Sequence, residues 1–144
     1  MAKGRVHHIG LTVRDIELSE AGFYAPVLRF LGYQRVNGPA HVSFWRDGKN
    51  GPTVHLVRAD GVVKPPEHDH CAFAVETRPE VDQLHELLVE RGIDVLSSPT
   101  EYPQFGAGHY AVFFRDPDGR LFEVLHRPSP TQQSATGQAK ATHA

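Results

Sequence analysis

Residues 8–13 read His-Ile-Gly-Leu-Thr-Val, in which polar or small residues alternate with large apolar ones. This period of two predicts a strand over residues 6–13, with apolar residues packed on a core on one face and His8 on the other. The pattern returns 62 residues further on, at residues 70–75, as His-Cys-Ala-Phe-Ala-Val. The chain is therefore predicted to contain two copies of one structural unit.

A helical pattern follows each copy of this strand. Ser19 is the expected N-cap of the first helix, which should run to Leu31. Pro26 falls inside that helix and should kink it or delay its start. The second helix should begin after Thr77, because Thr77 and Glu80 have the spacing of a capping box.

Three short strands are expected after each helix, which gives an α+β fold of two βαβββ modules that close into a cup-shaped mixed sheet. The turn Asp116-Pro117-Asp118-Gly119 should join the last two strands. The predicted boundaries are a single domain at 5–127, modules at about 6–58 and 70–127, a linker at 59–69 and a disordered tail at 128–144. The expected strands are 33–36, 41–46, 53–58, 93–97, 110–115 and 120–126, with a loop at 101–108.

Composition excludes several classes of function. The 144 residues carry 15 Lys and Arg against 17 Asp and Glu, for a net charge of −2, without a basic stripe. Nucleic acid and membrane partners are therefore not expected. Cys71 is the single cysteine, so neither an intramolecular disulfide nor a cysteine-based zinc site is predicted. The first residues lack the apolar segment of a signal peptide, and a cytoplasmic location is expected.

The ten histidines point to a metal site. The first and last strand of each module each place one metal-competent side chain on the face opposite the helix-packing residues. Any one of them could be an ordinary surface or core residue, but four at repeat-related positions favour ligands. Imidazole and carboxylate together suit Fe, Mn, Ni, Co or Zn. These residues are His8, His55, His70 and Glu123.

The chain resembles the vicinal oxygen chelate superfamily over roughly residues 6–127. That superfamily includes glyoxalase I, bleomycin resistance proteins, fosfomycin resistance enzymes, methylmalonyl-CoA epimerase and extradiol dioxygenases. Its most specific element here is the Asp-Pro-Asp-Gly turn at 116–119, followed by Glu123. The other matching residues are 8–13, Phe23-Tyr24, Leu28, Leu31-Gly32, 70–75, 114–115 and 121–124.

The resemblance implies one divalent ion (Zn, Ni, Co, Mn or Fe(II)) at His8, His55, His70 and Glu123. His55 departs from the pattern, because glyoxalase I carries Glu and the epimerase Gln at that position. Fosfomycin enzymes typically place Thr where this chain has Gly10. Bleomycin-binding relatives generally lack the metal triad, so the ligands here argue against that role.

Three functions remain open. The first is glyoxalase-like proton transfer, as an isomerase or lyase, on a small molecule whose adjacent oxygens chelate the metal, with Glu123 as the base. The second is an extradiol-type Fe(II) dioxygenase that uses a His, His, Glu triad. The third is a non-catalytic protein that binds a small molecule or drug.

His109 and Tyr110 are further catalytic candidates. They follow a Gly-containing loop at a position where relatives cover the mouth of the cup, and either side chain could act as acid, base or substrate clamp. The alternative is aromatic packing against Phe105 at a strand edge. Small members of the family commonly dimerise, and a homodimer is expected.

Overall fold

The computed structural model describes residues 3–38 and 42–129. None of the described helices is long and apolar enough to cross a membrane. The strands are β1 His8–Val13, β2 Tyr33–Val36, β3 Val42–Asp47, β4 Thr53–Arg58, β5 His70–Ala74, β6 Asp94–Glu101, β7 Tyr110–Arg115 and β8 Leu121–His126. The helical segments are α1 Ile16–Ser19, a π-helical turn Glu20–Tyr24, α2 Ala25–Phe30, α3 Arg78–Glu90 and a 3₁₀ turn Pro103–Phe105.

The chain forms two compact modules. Module one holds the residues up to Asp69 together with Arg115–Arg120, and module two holds His70–Phe114 together with the residues from Leu121. Each contains one four-stranded sheet, in the orders β1-β4-β3-β2 and β5-β8-β7-β6. The predicted α+β class and the two βαβββ modules are therefore confirmed, while the cup stays a prediction.

The two sheets repeat the same strand register. In each module the first strand lies parallel to the last one. The residue two places after the histidine that begins the first strand pairs with the candidate ligand of the last strand. The paired positions are His8 with Thr53 and Gly10 with His55 in module one, and His70 with Leu121 and Ala72 with Glu123 in module two. His55 and Glu123 therefore occupy equivalent positions in the two sheets.

The first helix begins earlier than Ser19, so the predicted start is wrong. Asp15 has extended backbone angles, and its carboxylate accepts a hydrogen bond from the Leu18 N–H at 3.0 Å. Ser19 is buried inside the helical segment. The amide of Ala25 bonds to the Glu20 carbonyl five residues back, which widens the helix just before Pro26. A π turn at this point accommodates a proline, which has no N–H to donate.

Strand boundaries also differ from the prediction, and β1 begins at His8 instead of Val6. β6 continues to Glu101 instead of ending at Ser97, although it contains Pro99. It lies at the edge of its sheet, where a proline need not break a ladder of hydrogen bonds. The expected first residue of β3, His41, lies outside the described residues, as does most of the predicted tail, 130–144.

The Asp-Pro-Asp-Gly turn is held by the buried carboxylate of Asp116. This carboxylate accepts hydrogen bonds from the Tyr24 hydroxyl at 2.5 Å and from Arg120 Nη1 at 2.8 Å. It also accepts from the backbone N–H groups of Asp118 at 3.0 Å and Arg120 at 2.7 Å. Burial, followed by the charge of Asp116, raises the pKa of Tyr24 well above its ordinary value, so this hydroxyl remains a donor. One carboxylate thus fixes the turn and attaches it to the π-helical turn of module one.

We expect Asp116→Ala to lower the free energy of unfolding by about 3 kcal/mol, because it leaves Arg120 and the Tyr24 hydroxyl without their buried partner. The matched control is Asp118→Ala in the same turn, whose carboxylate accepts, among the described residues, a single 3.3 Å bond from the Arg14 N–H. Urea unfolding of both variants measures the difference. Equal losses of stability would contradict the assigned role of Asp116.

Candidate metal centre

Module one brings together the two histidines that the sequence predicts as ligands. The rings of His8 and His55 stack at a centroid distance of 4.4 Å and an angle of 9°. Phe44 lies edge-on to His55 at 4.5 Å. Gly10, the register partner of His55, has open space beside it, since an added Cβ would meet no atom within 4 Å. The two imidazoles therefore lie side by side on one face of the sheet.

The surroundings of His55 favour its neutral form. Partial burial lowers the pKa of His55, and the neighbouring His8 and His7 lower it further. His7 also contacts His8, with 2.9 Å between the two Nδ1 atoms. A neutral imidazole has a nitrogen lone pair free to bind a metal.

Module two places the Glu123 carboxylate between two histidines. Glu123 Oε1 lies 3.2 Å from His70 Nε2, and Glu123 Oε2 lies 2.7 Å from His109 Nε2. Glu123 is only 5% exposed and His109 only 4% exposed. The sequence predicted both His70 and Glu123 as ligands and His109 as a nearby catalytic group, and the fold brings these three side chains together.

Glu123 differs in charge environment from Asp116, the other buried carboxylate among the described residues. Arg120 forms an ion pair with Asp116 at 2.8 Å. Within residues 3–38 and 42–129, the ion-pair partners of Glu123 are imidazoles alone, with no Lys or Arg. A buried carboxylate is costly unless a cation or strong donors compensate its charge. Glu123 therefore has the surroundings expected of a cation ligand.

An aromatic cluster borders the histidines of module two. Phe105 stacks on Tyr102 at 5.4 Å and meets the His109 ring edge-on at 5.6 Å. Phe113 contacts Tyr102 at 5.5 Å and His70 at 6.1 Å. His109 thus makes both of the contacts considered from sequence, the packing against Phe105 and the approach to a predicted ligand.

Tyr110 contacts α3 instead of Glu123. Its hydroxyl donates to Asp82 at 2.6 Å, and the Arg78 guanidinium lies 4.8 Å from the centre of its ring. Consecutive residues along a strand point to opposite faces, which accounts for its separation from His109. The hydrogen bond to Asp82 is the largest cause that raises the pKa of Tyr110. We therefore leave Tyr110 out of the proposed catalytic set.

The donor set is suited to a divalent ion. Within the described ranges, no three His, Cys, Asp or Glu side chains already form a cluster that could hold a metal. The pairs are nevertheless suitable, because two ligand atoms bound to one Zn-like ion lie roughly 3.0–3.4 Å apart. The 3.2 Å between His70 Nε2 and Glu123 Oε1 falls in that range. Three imidazoles and a carboxylate are ligands that first-row divalent metals accept.

Comparison with known proteins agrees with the fold and with the repeated strand motif. A family model described as the glyoxalase/bleomycin resistance protein/dioxygenase superfamily matches residues 5–124. The chain belongs to this superfamily, the vicinal oxygen chelate proteins. Membership accounts for the duplicated βαβββ module.

Three relatives illustrate the similarity. The uncharacterized protein YqjT of Bacillus subtilis (strain 168) is 34% identical over 127 residues, covering 83% of this chain and 97% of that protein. A candidate glyoxalase from Bacillus halodurans has a TM-score of 0.69 and 28% identity, covering 87% and 97% of the two chains. A glyoxalase-related enzyme from Fulvimarina pelagi has a TM-score of 0.68 and 25% identity, covering 87% and 89%.

Arg127 also approaches the candidate site, which the sequence did not predict. Arg127 Nη2 lies 2.8 Å from His109 Nδ1, on the side of the ring opposite Glu123. Its position just after β8 carries no motif. A weak signal existed in its placement four residues after Glu123, at the end of the strand that supplies the carboxylate.

Proposed function

We propose that this chain is a metal-dependent vicinal oxygen chelate enzyme that transfers a proton on a small molecule with adjacent oxygens. The proposed ligands of one divalent ion are His8, His55, His70 and Glu123. The observation that carries the proposal is the buried Glu123 carboxylate, which lies between imidazoles and lacks a Lys or Arg partner among the described residues. Its strand position is equivalent to that of His55, the second imidazole of module one.

Each residue of the proposed site has a separate role. A bound divalent ion would supply Lewis acidity that stabilises negative charge on a substrate oxygen. Glu123 is the proposed base, since the other buried carboxylate, Asp116, is neutralised by Arg120. His109 Nε2 holds the Oε2 atom of Glu123 and keeps that carboxylate oriented. The aromatic side chains of Tyr102 and Phe113 form an apolar border beside His70 and His109.

Family membership supports a small-molecule ligand, and the specific reaction belongs to the proposal. An extradiol-type dioxygenase needs only His8 (or His55), His70 and Glu123, so a His55 that does not bind metal would favour oxygen chemistry. A protein that holds the ligand without turnover is the third outcome. We also propose that the chain forms a homodimer and that residues 5–127 form a single domain.

The activity is tested by solvent exchange. We expect the Zn²⁺-, Ni²⁺- or Co²⁺-loaded chain to catalyse incorporation of deuterium from D₂O into dihydroxyacetone, a hydroxyketone with adjacent oxygens, as measured by proton NMR. The same preparation loaded with Fe(II) is given catechol in an oxygen electrode. Oxygen consumption without deuterium exchange would replace the proposal by the dioxygenase, and metal binding without either reaction would replace it by the binding protein.

Glu123→Ala should reduce affinity for Zn²⁺ by at least about a hundredfold, because it removes the only anionic ligand of the proposed set. Isothermal titration calorimetry measures the affinity. Glu101→Ala is the matched control, since Glu101 lies on β6 and pairs with Arg78 at the surface. Full retention of Zn²⁺ affinity in Glu123→Ala would refute the proposed site.

His55→Ala separates the two enzymatic hypotheses. A four-ligand isomerase should lose most of its bound metal, whereas a three-ligand dioxygenase should retain Fe(II). Metal content after dialysis, measured by mass spectrometry, gives the answer. Phe44→Leu is a suitable control, because Phe44 contacts the His55 ring without offering a ligand atom. If the His55→Ala chain retains its full metal content, the four-ligand set is wrong.

A further inference from the structure

Arg127 directly follows β8, and its side chain contacts the loop that precedes β7. Its Nη2 group lies 2.8 Å from His109 Nδ1 and donates to the Phe105 carbonyl oxygen at 2.9 Å. A guanidinium is always protonated and has donors only, so the bond to His109 has one possible direction. His109 Nδ1 must therefore be a bare acceptor nitrogen.

This direction fixes the proton on the other ring nitrogen. We infer that Arg127 is a positioning residue that holds His109 as its neutral Nε2–H tautomer and, through it, orients the Glu123 carboxylate. In this tautomer Nε2 donates to Glu123 Oε2 across 2.7 Å. Arg127 thus donates a hydrogen bond to His109, and His109 donates one to Glu123.

The backbone around His109 supports a fixed ring position. The His109 N–H donates to the Gly106 carbonyl at 3.2 Å, and its own carbonyl accepts from the Tyr102 N–H at 2.7 Å. Gly106 also lies directly against Arg127, since an added Cβ would meet Arg127 Cζ at 3.0 Å. Its φ of +149° disfavours any other residue. The loop backbone at Gly106 and the Arg127 guanidinium therefore pack closely together.

The consequence concerns which carboxylate oxygen binds the ion, and this step rests on the proposed function. Because His109 occupies Glu123 Oε2, the oxygen left for a cation is Oε1, which faces His70 Nε2. Partners that orient metal ligands in this way typically contribute about 10–100-fold to metal affinity. Removal of Arg127 should therefore weaken metal binding although Arg127 is not itself a ligand.

The first test measures the tautomer in the metal-free chain by ¹⁵N NMR of the histidine rings at pH 8, with His109 assigned from the signals missing in His109→Gln. Wild type should show a protonated Nε2 and a bare Nδ1. Arg127→Met should show a mixture of tautomers, and Arg127→Lys should retain the wild-type pattern because an ammonium is also a pure donor. A wild-type ring protonated at Nδ1 would overturn the inference.

The second test measures Zn²⁺ affinity by calorimetry. Arg127→Met should bind Zn²⁺ about tenfold more weakly than wild type. Arg115→Met is the matched control, since it removes an arginine that likewise donates to a backbone carbonyl, that of Gly119 at 2.8 Å, without touching an imidazole. The control should bind Zn²⁺ with wild-type affinity, and an equal loss in the two variants would contradict the inference.

A double-mutant cycle distinguishes action through His109 from general loosening of the loop. In His109→Gln the amide donates to Glu123 without help from Arg127, so adding Arg127→Met should change Zn²⁺ affinity less than twofold. A full tenfold loss in that background would show that Arg127 acts by another route. If wild type does not bind Zn²⁺, the proposed function fails, and the tautomer experiment still decides the role of Arg127.

Discussion

The carboxylate of Glu123 is the group on which the interpretation of this molecule depends. It is buried on a strand that also supplies core residues, and its described ion-pair partners are His70 and His109. Asp116 has a guanidinium as its ion-pair partner, whereas an imidazole carries a positive charge only when it is protonated. A divalent ion bound at Glu123 would compensate this charge, and His70 lies close enough to be a second ligand of that ion.

Duplication of one module accounts for the repeat-related positions of the four proposed ligands. The register that pairs Gly10 with His55 in the first sheet pairs Ala72 with Glu123 in the second. The residues that pair with His55 and Glu123 in the parallel strand, Gly10 and Ala72, are both small. The two modules differ in the side chain at this position, an imidazole in one and a carboxylate in the other. In module two, the loop before β7 brings His109 to the carboxylate.

Local pattern predicted most of the fold, and long-range contacts account for what it missed. Strands 33–36, 53–58 and 110–115 were predicted with their observed bounds, because alternation and turn residues are local signals. The Asp15 cap was missed because Ser19 is an equally good capping residue by type. The bond from Arg127 to His109 joins residues 18 positions apart, and no periodicity in the sequence encodes it. The His70–Glu123 pair was predictable because the repeat itself aligns the two strands.

The most direct test of a shared metal site is anomalous diffraction from crystals of the chain grown with Zn²⁺, recorded on both sides of the zinc absorption edge. We expect one strong anomalous peak per chain, bonded to His70 Nε2 and Glu123 Oε1 and to nitrogens of His8 and His55. His109 should remain bonded to Glu123 Oε2 without binding the metal. A peak bonded to other residues, or a fully ordered Glu123 with no anomalous peak beside it, would refute the proposed metal site.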